Sequence, residues 1–135
     1  MTAMTYPFTP KSTRLLLRGQ FWAIPLDDGR FGAGCVVGAH ENGGKGSSRM
    51  FIGGLVSWIG TTIPSDSDLH DLPLVEIAFA HLKVITESGG VVLGQAEIRF
   101  GDAPLTMEAL SLPTWGFRVP KLRAEKLARS VKMVV

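Results

Sequence analysis

Cysteine is almost missing. Cys35 stands alone in 135 residues, so no disulfide can close within the chain. It lies in the apolar run GAGCVVG and reads as a small core residue. No histidine falls within four residues of it, so the sequence supplies no neighbouring base for a nucleophile. Charge of one sign is lacking too. Fourteen Lys and Arg face twelve Asp and Glu, a net +2, and overall charge does not argue for nucleic acid. No apolar run approaches the roughly 20 residues that a membrane span requires. The opening MTAMTYPFTPKSTR has no cationic stretch leading into an apolar one, so no secretion signal is expected and the expected location is the cytoplasm.

What is present is a globular composition, 45% hydrophobic and 19% charged. One domain is expected over 15–135, preceded by a flexible tail over 1–14. Glycine is abundant, with 16 residues, and eight prolines are scattered. Both punctuate short segments and favour a β-rich fold.

The stretch QFWAIPLDDGRFGAG, residues 20–34, reads as a β-hairpin. A two-residue loop at Asp28-Gly29 would place Pro25 in a hydrogen-bonded pair, where it has no N–H to give. A type I turn at Asp27-Asp28 with Gly29 left-handed avoids this. Pro25 then faces Phe31, Ile24 faces Gly32 and Trp22 faces Gly34, so large side chains cover bare glycines. The opposite face carries Phe21, Ala23, Phe31, Ala33 and Cys35. Asp27 and Asp28 become turn residues and not a catalytic pair.

The next segment, HENGGKGSSR, invites a phosphate-loop reading and fails it. A glycine is needed five residues before Gly44, where Ala39 stands, and Ser or Thr after Lys45, where Gly46 stands. It reads as a loop, with His40 solvent-exposed. Residues 50–59 read as a strand, and 63–73 as a loop with one helical turn. Val75, Ile77 and Phe79 alternate as in a strand. From His81 onward Leu82 and Ile85 suit a helical turn, closed by Gly89-Gly90. VVLGQAEI, residues 91–98, reads as another strand. Residues 101–120 are irregular, with Pro104, Pro113 and Pro120. Pro120 then opens a helix in which Ala124, Leu127, Ala128 and Val131 fall on one stripe.

Few residues offer chemistry. Asp66, Asp68 and Asp71, with His70 between, form the densest polar cluster, and Glu76 would extend it. Asp and His are metal ligands and acid–base groups, but this spacing matches no defined site. The plain reading is a solvated loop with capping acids; the functional one is an acidic patch for a partner. His81 reads as a hydrogen-bonded structural residue. With one cysteine and no zinc-type spacing, no metal or other cofactor is expected, and no Gly-x-Ser-x-Gly elbow supports a serine triad. Lys121, Arg123, Lys126, Arg129 and Lys132 make the last helix basic. These suit a helix C-terminus or phosphate contact, although no aromatic residues interleave for base stacking. Trp115, in LPTWGF, is expected to be exposed and to anchor a partner.

The blocks FWAIPLDDGRFGAGCVV, SGGVVLGQAEI and SLPTWGF resemble the immunity protein 26 family of bacterial polymorphic toxin systems. The first block agrees at Phe21 or Trp22, Ala23, Ile24, Pro25, Leu26, Asp28, Gly29 and Phe31. The second agrees at Ser88, Gly89, Val92, Leu93 and Gly94. The likeness extends over about residues 19–115. It departs at Gln20, where the family usually has Asp, and at Val91, near a family Trp. The resemblance implies an intracellular protein that binds and neutralises a toxin, often a nuclease, without chemistry of its own.

The expected fold is α+β: a strongly bent antiparallel sheet with a C-terminal helix, for which a small SH3-like barrel is one form. The first functional expectation is a non-enzymatic immunity protein whose partner is a cognate toxin, with Asp66, Asp68, Asp71, Glu76 and Trp115 as the contact surface. The second is a nucleic-acid-binding module using the basic C-terminal helix. The third is a small hydrolase built on His70 and its neighbouring acids.

Overall fold

The computed structural model describes residues 5–39, 49–103 and 112–130. The opening hairpin, β1 (Gln20–Pro25) and β2 (Phe31–Gly38), takes the expected register: Pro25 pairs with Phe31, Ile24 with Gly32 and Trp22 with Gly34. Two bonds close the turn, from the Gly29 N–H to the Leu26 carbonyl at 3.2 Å and from the Leu26 N–H to the Arg30 carbonyl at 2.9 Å. Gly29 has φ +85°, the left-handed conformation that this loop needs at its third position.

The chain continues through β3 (Met50–Gly60), helical turn α1 (Asp66–Leu69), β4 (Leu74–His81), helical turn α2 (Lys83–Thr86), β5 (Gly94–Gln95), β6 (Thr114–Trp115) and helix α3 (Val119–Ser130). The six strands form one sheet in the order β5-β1-β2-β3-β4-β6. Register shifts between Gly32 and Gly34, and between Val36 and Gly38, interrupt the β2–β3 ladder; such bulges bend a sheet and increase its twist.

Two expectations are corrected here. The sheet does not close, so the barrel form is not taken. β5 and β6, with two residues each, sit at opposite edges and do not meet. The sheet is also mixed, because β6 runs parallel to β4. The chain reaches β6 only after visiting the far edge at β5, and β5 and β6 both run in the sense of β4.

Period-two alternation divides the apolar residues between the two faces. One face carries Trp22, Ile24, Val36, Phe51, Leu55, Ala78 and Ala80, covered by α2, by Ala124 and Ala128 of α3, and by Tyr6 and Phe8. The other carries Phe21, Ala33, Cys35, Val37, Ile52 and Val56, covered by Leu69 of α1 and by Leu93, Ala96, Ile98 and Phe100. Burying each large side chain contributes about 1.5–3 kcal/mol, so both layers are needed.

The covering segments explain two further departures. VVLGQAEI is a strand only at Gly94–Gln95. The Ala96 N–H still reaches the Gly19 carbonyl, but the Glu97 carbonyl accepts from Asp71 N–H at 2.7 Å and Arg99 N–H donates to Leu72. The segment thus leaves β1 and crosses to the turn after α1. The expected tail makes contacts from Tyr6 onward: Phe8 forms a bridge with Val92, Gln20 Nε2 donates to the Tyr6 hydroxyl, and Pro10 and Thr13 are buried. His40 with most of the glycine-rich loop, Pro104, Val131 and Lys132 lie outside the described residues.

Candidate functional site

The hairpin tip and α3 are joined by polar contacts. Lys121 Nζ lies 2.7 Å from Asp27 Oδ1, and the Asp27 N–H donates to Glu125 Oε2 at 3.2 Å. Asp28 accepts from the Arg30 backbone at 3.0 Å and from its guanidinium at 2.8 Å. Arg30 in turn donates to the Ala128 carbonyl. The Lys121 ammonium holds the Asp27 carboxyl below the usual value, and the Arg30 N–H does the same for Asp28. Both acids therefore hold the hairpin and helix together.

The expected acidic surface is divided by the fold. Asp66 and Asp68 are exposed on the first turn of α1. Asp68 completes a capping box, accepting from Ser65 N–H at 3.0 Å while its own N–H donates to the Ser65 hydroxyl at 3.3 Å. Asp66 accepts from Ser67 N–H. Asp71, at φ 59°, makes a two-pronged contact with Arg99 at 3.2 and 3.0 Å, which lowers its carboxyl below the usual value. Glu76 is on β4, in the same alternation as Ala78 and Ala80, and meets Arg123 of α3 at 3.3 Å. It therefore lies on the α3 face, with the sheet between it and Asp66, Asp68 and Asp71.

Trp115 is corrected more sharply. It is only 4% exposed, with its ring against Gly53, where a Cβ would come within 3.1 Å of it. Trp115 turns inward from β6, whereas Phe117, past the end of that strand in the turn before α3, is 44% exposed.

The other candidates are also placed. His81 accepts from Lys83 N–H at 3.1 Å and stacks edge-on with Phe117 at 5.5 Å, a structural role as expected. His70 is exposed beside an open depression that also borders Asp66 and Glu97. Cys35 is fully buried, and burial pushes its thiol up to about 12. Two cations of α3 are engaged by the sheet side, Lys121 by Asp27 and Arg123 by Glu76. Among the described residues no group of three or more His, Cys, Asp or Glu could hold a metal, and no helix is long and apolar enough to cross a membrane.

A further feature was not anticipated. An open cleft of about 560 Å³ lies between the hairpin tip, the end of α2 and α3. Its floor is Ile24, Pro25 and Asp27; Glu87 and Ser88 form one side; Phe117, Lys121 and Leu122 form the other. Leu122 is 64% exposed, although it belongs to a core-packed helix. The sequence did hold a signal for it: position 122 falls off the stripe of Ala124, Leu127 and Ala128, so its leucine faces away from the core.

A family model described as Immunity protein 26 matches residues 18–93. The matched span contains β1 to β4, α2 and the floor of the cleft; α3 and Phe117 lie beyond it. No curated protein and no solved structure matches the chain.

Proposed function

The chain belongs to the immunity protein 26 family, and from that premise we propose that it binds a cognate bacterial toxin and neutralises it by occupancy, without chemistry of its own. The family match over residues 18–93 is the observation that carries this reading. Its setting is the cytoplasm of the cell to be protected, and a nuclease is the toxin class it suits first.

The architecture supports binding by a preformed surface. Side chains and loops that must be ordered on association cost affinity. Here the hairpin tip is already tied to α3 through Asp27, Lys121 and Glu125. The adjoining cleft combines exposed apolar side chains with a charged rim, the composition typical of protein interfaces. Asp66 and Asp68 offer a second, purely polar surface for a basic toxin.

Co-expression with the toxin domain encoded beside this chain's gene is the direct test. Restored growth and a stable complex are expected. Unrelieved toxicity with no complex rejects the reading.

A further inference from the structure

We infer that the outward stripe which Arg118 begins and α3 continues through Leu122, Lys126 and Arg129 docks an acidic surface of the toxin, with Leu122 covered at its centre. The inference rests on the immunity reading and adds the surface and the chemistry of what it meets.

The stripe follows from spacing. Lys126 and Arg129 stand four and seven residues after Leu122, and Arg118 four before it, so all four share one side of the helix. Ala124 and Ala128 take the opposite side, buried against the sheet. Every residue of the stripe is exposed.

The cations of the stripe have no structural employment. Lys or Arg favours a helix C-terminus and opposes an N-terminus. Arg129 lies in the last turn of α3, but Arg118 precedes the first, and no acid stands in that turn. Ion pairs of the described residues engage Arg30, Arg99, Lys121 and Arg123; Arg118, Lys126 and Arg129 enter none. The α1 acids differ in this respect, since Asp68 caps its helix and Asp71 holds Arg99.

Charge selects the partner. Beside the stripe, Lys121 meets Asp27, Arg30 meets Asp28 and Arg123 meets Glu76. Glu87 and Glu125 belong to no ion pair, and the Lys83 ammonium beside Phe117 offsets one of them. These flanks therefore carry −1, the stripe +3 and the whole face of described residues +2. An acidic surface is favoured over a basic one. Free nucleic acid fits less well. Three cations fall short of the roughly six to ten phosphate contacts that give strong binding, and Leu122, 64% exposed in their midst, calls for an apolar neighbour.

The test measures association and dissociation rates with the purified toxin domain encoded beside this gene, across a range of salt. The variants are the triple Arg118→Gln/Lys126→Gln/Arg129→Gln, Leu122→Ala and Asp66→Lys. Gln and Ala are good helix formers, and unchanged melting curves verify folding. Wild-type association should slow as salt rises. The triple variant should associate at least about tenfold more slowly at low salt and lose most of the salt dependence. Leu122→Ala should dissociate at least about fivefold faster with association unchanged. Asp66→Lys, on the other side of the sheet, should dissociate within about twofold of wild type. A triple variant that associates like wild type overturns the inference. So does wild-type association that quickens with salt, or Asp66→Lys as the variant that dissociates fastest. An oligonucleotide that displaces the toxin from wild type, but does not bind the triple variant, overturns it by making nucleic acid the occupant. If wild type binds no toxin at any salt, the immunity reading fails first and the stripe assignment falls with it.

Discussion

Trp22 lies across Gly34 on the neighbouring strand, with its indole occupying the space where a Gly34 side chain would stand. Gly34→Ala must displace that ring, which is fully buried. Overpacking of this kind costs about 3 kcal/mol. Gly29→Ala meets no atom within 4 Å and bears only its left-handed φ of +85°, at about 1–2 kcal/mol. Urea unfolding should therefore rank Gly34→Ala below Gly29→Ala. The opposite order would show that Trp22 is not packed there.

Trp115 tests the core against the surface. Its indole Nε1 is buried with no hydrogen-bond partner, so Trp115→Phe gives up packing but no hydrogen bond. Trp115→Ala should cost about 3–5 kcal/mol, as for other buried aromatics, and Trp115→Phe less than about 1.5 kcal/mol. Thermal melts of both variants measure this. A harmless Trp115→Ala would restore the residue to the surface.

Cys35 should be silent in the native state. A thiol reagent at mild alkaline pH is expected to label it only on unfolding, because burial keeps the thiol protonated. The linkage has a definite sign. The unfolded thiol ionises near 9.0 and the folded one near 12. Below 9 the group contributes no pH dependence. Between the two values the unfolded state binds fewer protons, so stability falls with rising pH, at up to about 1.4 kcal/mol per unit. Labelling of the folded chain as fast as of a free thiol would contradict the burial.

Asp71 and Arg99 form an exposed pair. The Asp71 carboxyl is lowered from 3.8, first by hydrogen bonding to Arg99. A depressed carboxyl contributes stability above its unfolded value, and the contribution is lost as pH falls through the folded value. Wild type should therefore exceed Asp71→Asn slightly at neutral pH and low salt. The gap should close in acid or in high salt, as it does for exposed pairs. Asp71→Ala should melt below Asp71→Asn throughout, because φ 59° suits Asn and strains Ala. Equal melting of the two would remove the backbone from this account.

Much of the first sheet face could be read from local rules. Pro25 lacks an N–H and Gly29 tolerates positive φ, and together they set the β1–β2 register; that register then decided which residues share a face. The stripe of Ala124, Leu127 and Ala128 likewise marked α3, though Val131 lies outside the described residues. What stayed hidden depended on distant partners. Nothing local says that the stretch after Gly94 leaves β1 for Leu72, or that β6 joins β4 in parallel. Nor does sequence adjacency place Glu76 with its apparent neighbours at 66–71, since a bulge and a strand carry it to the α3 face. Leu122 was legible in principle, as the apolar residue out of step with its helix. The cleft was not, because its floor at Ile24, Pro25 and Asp27 is about 90 residues or more from Phe117 and Leu122 in sequence.

The central claim is neutralisation by occupancy. The most direct measurement follows the activity of the purified cognate toxin domain while this chain is titrated in. The account predicts that activity falls linearly and vanishes at equimolar chain, and that toxin released from the complex is active again. Inactivation of excess toxin by a catalytic amount of chain, or full activity at every ratio, would contradict it.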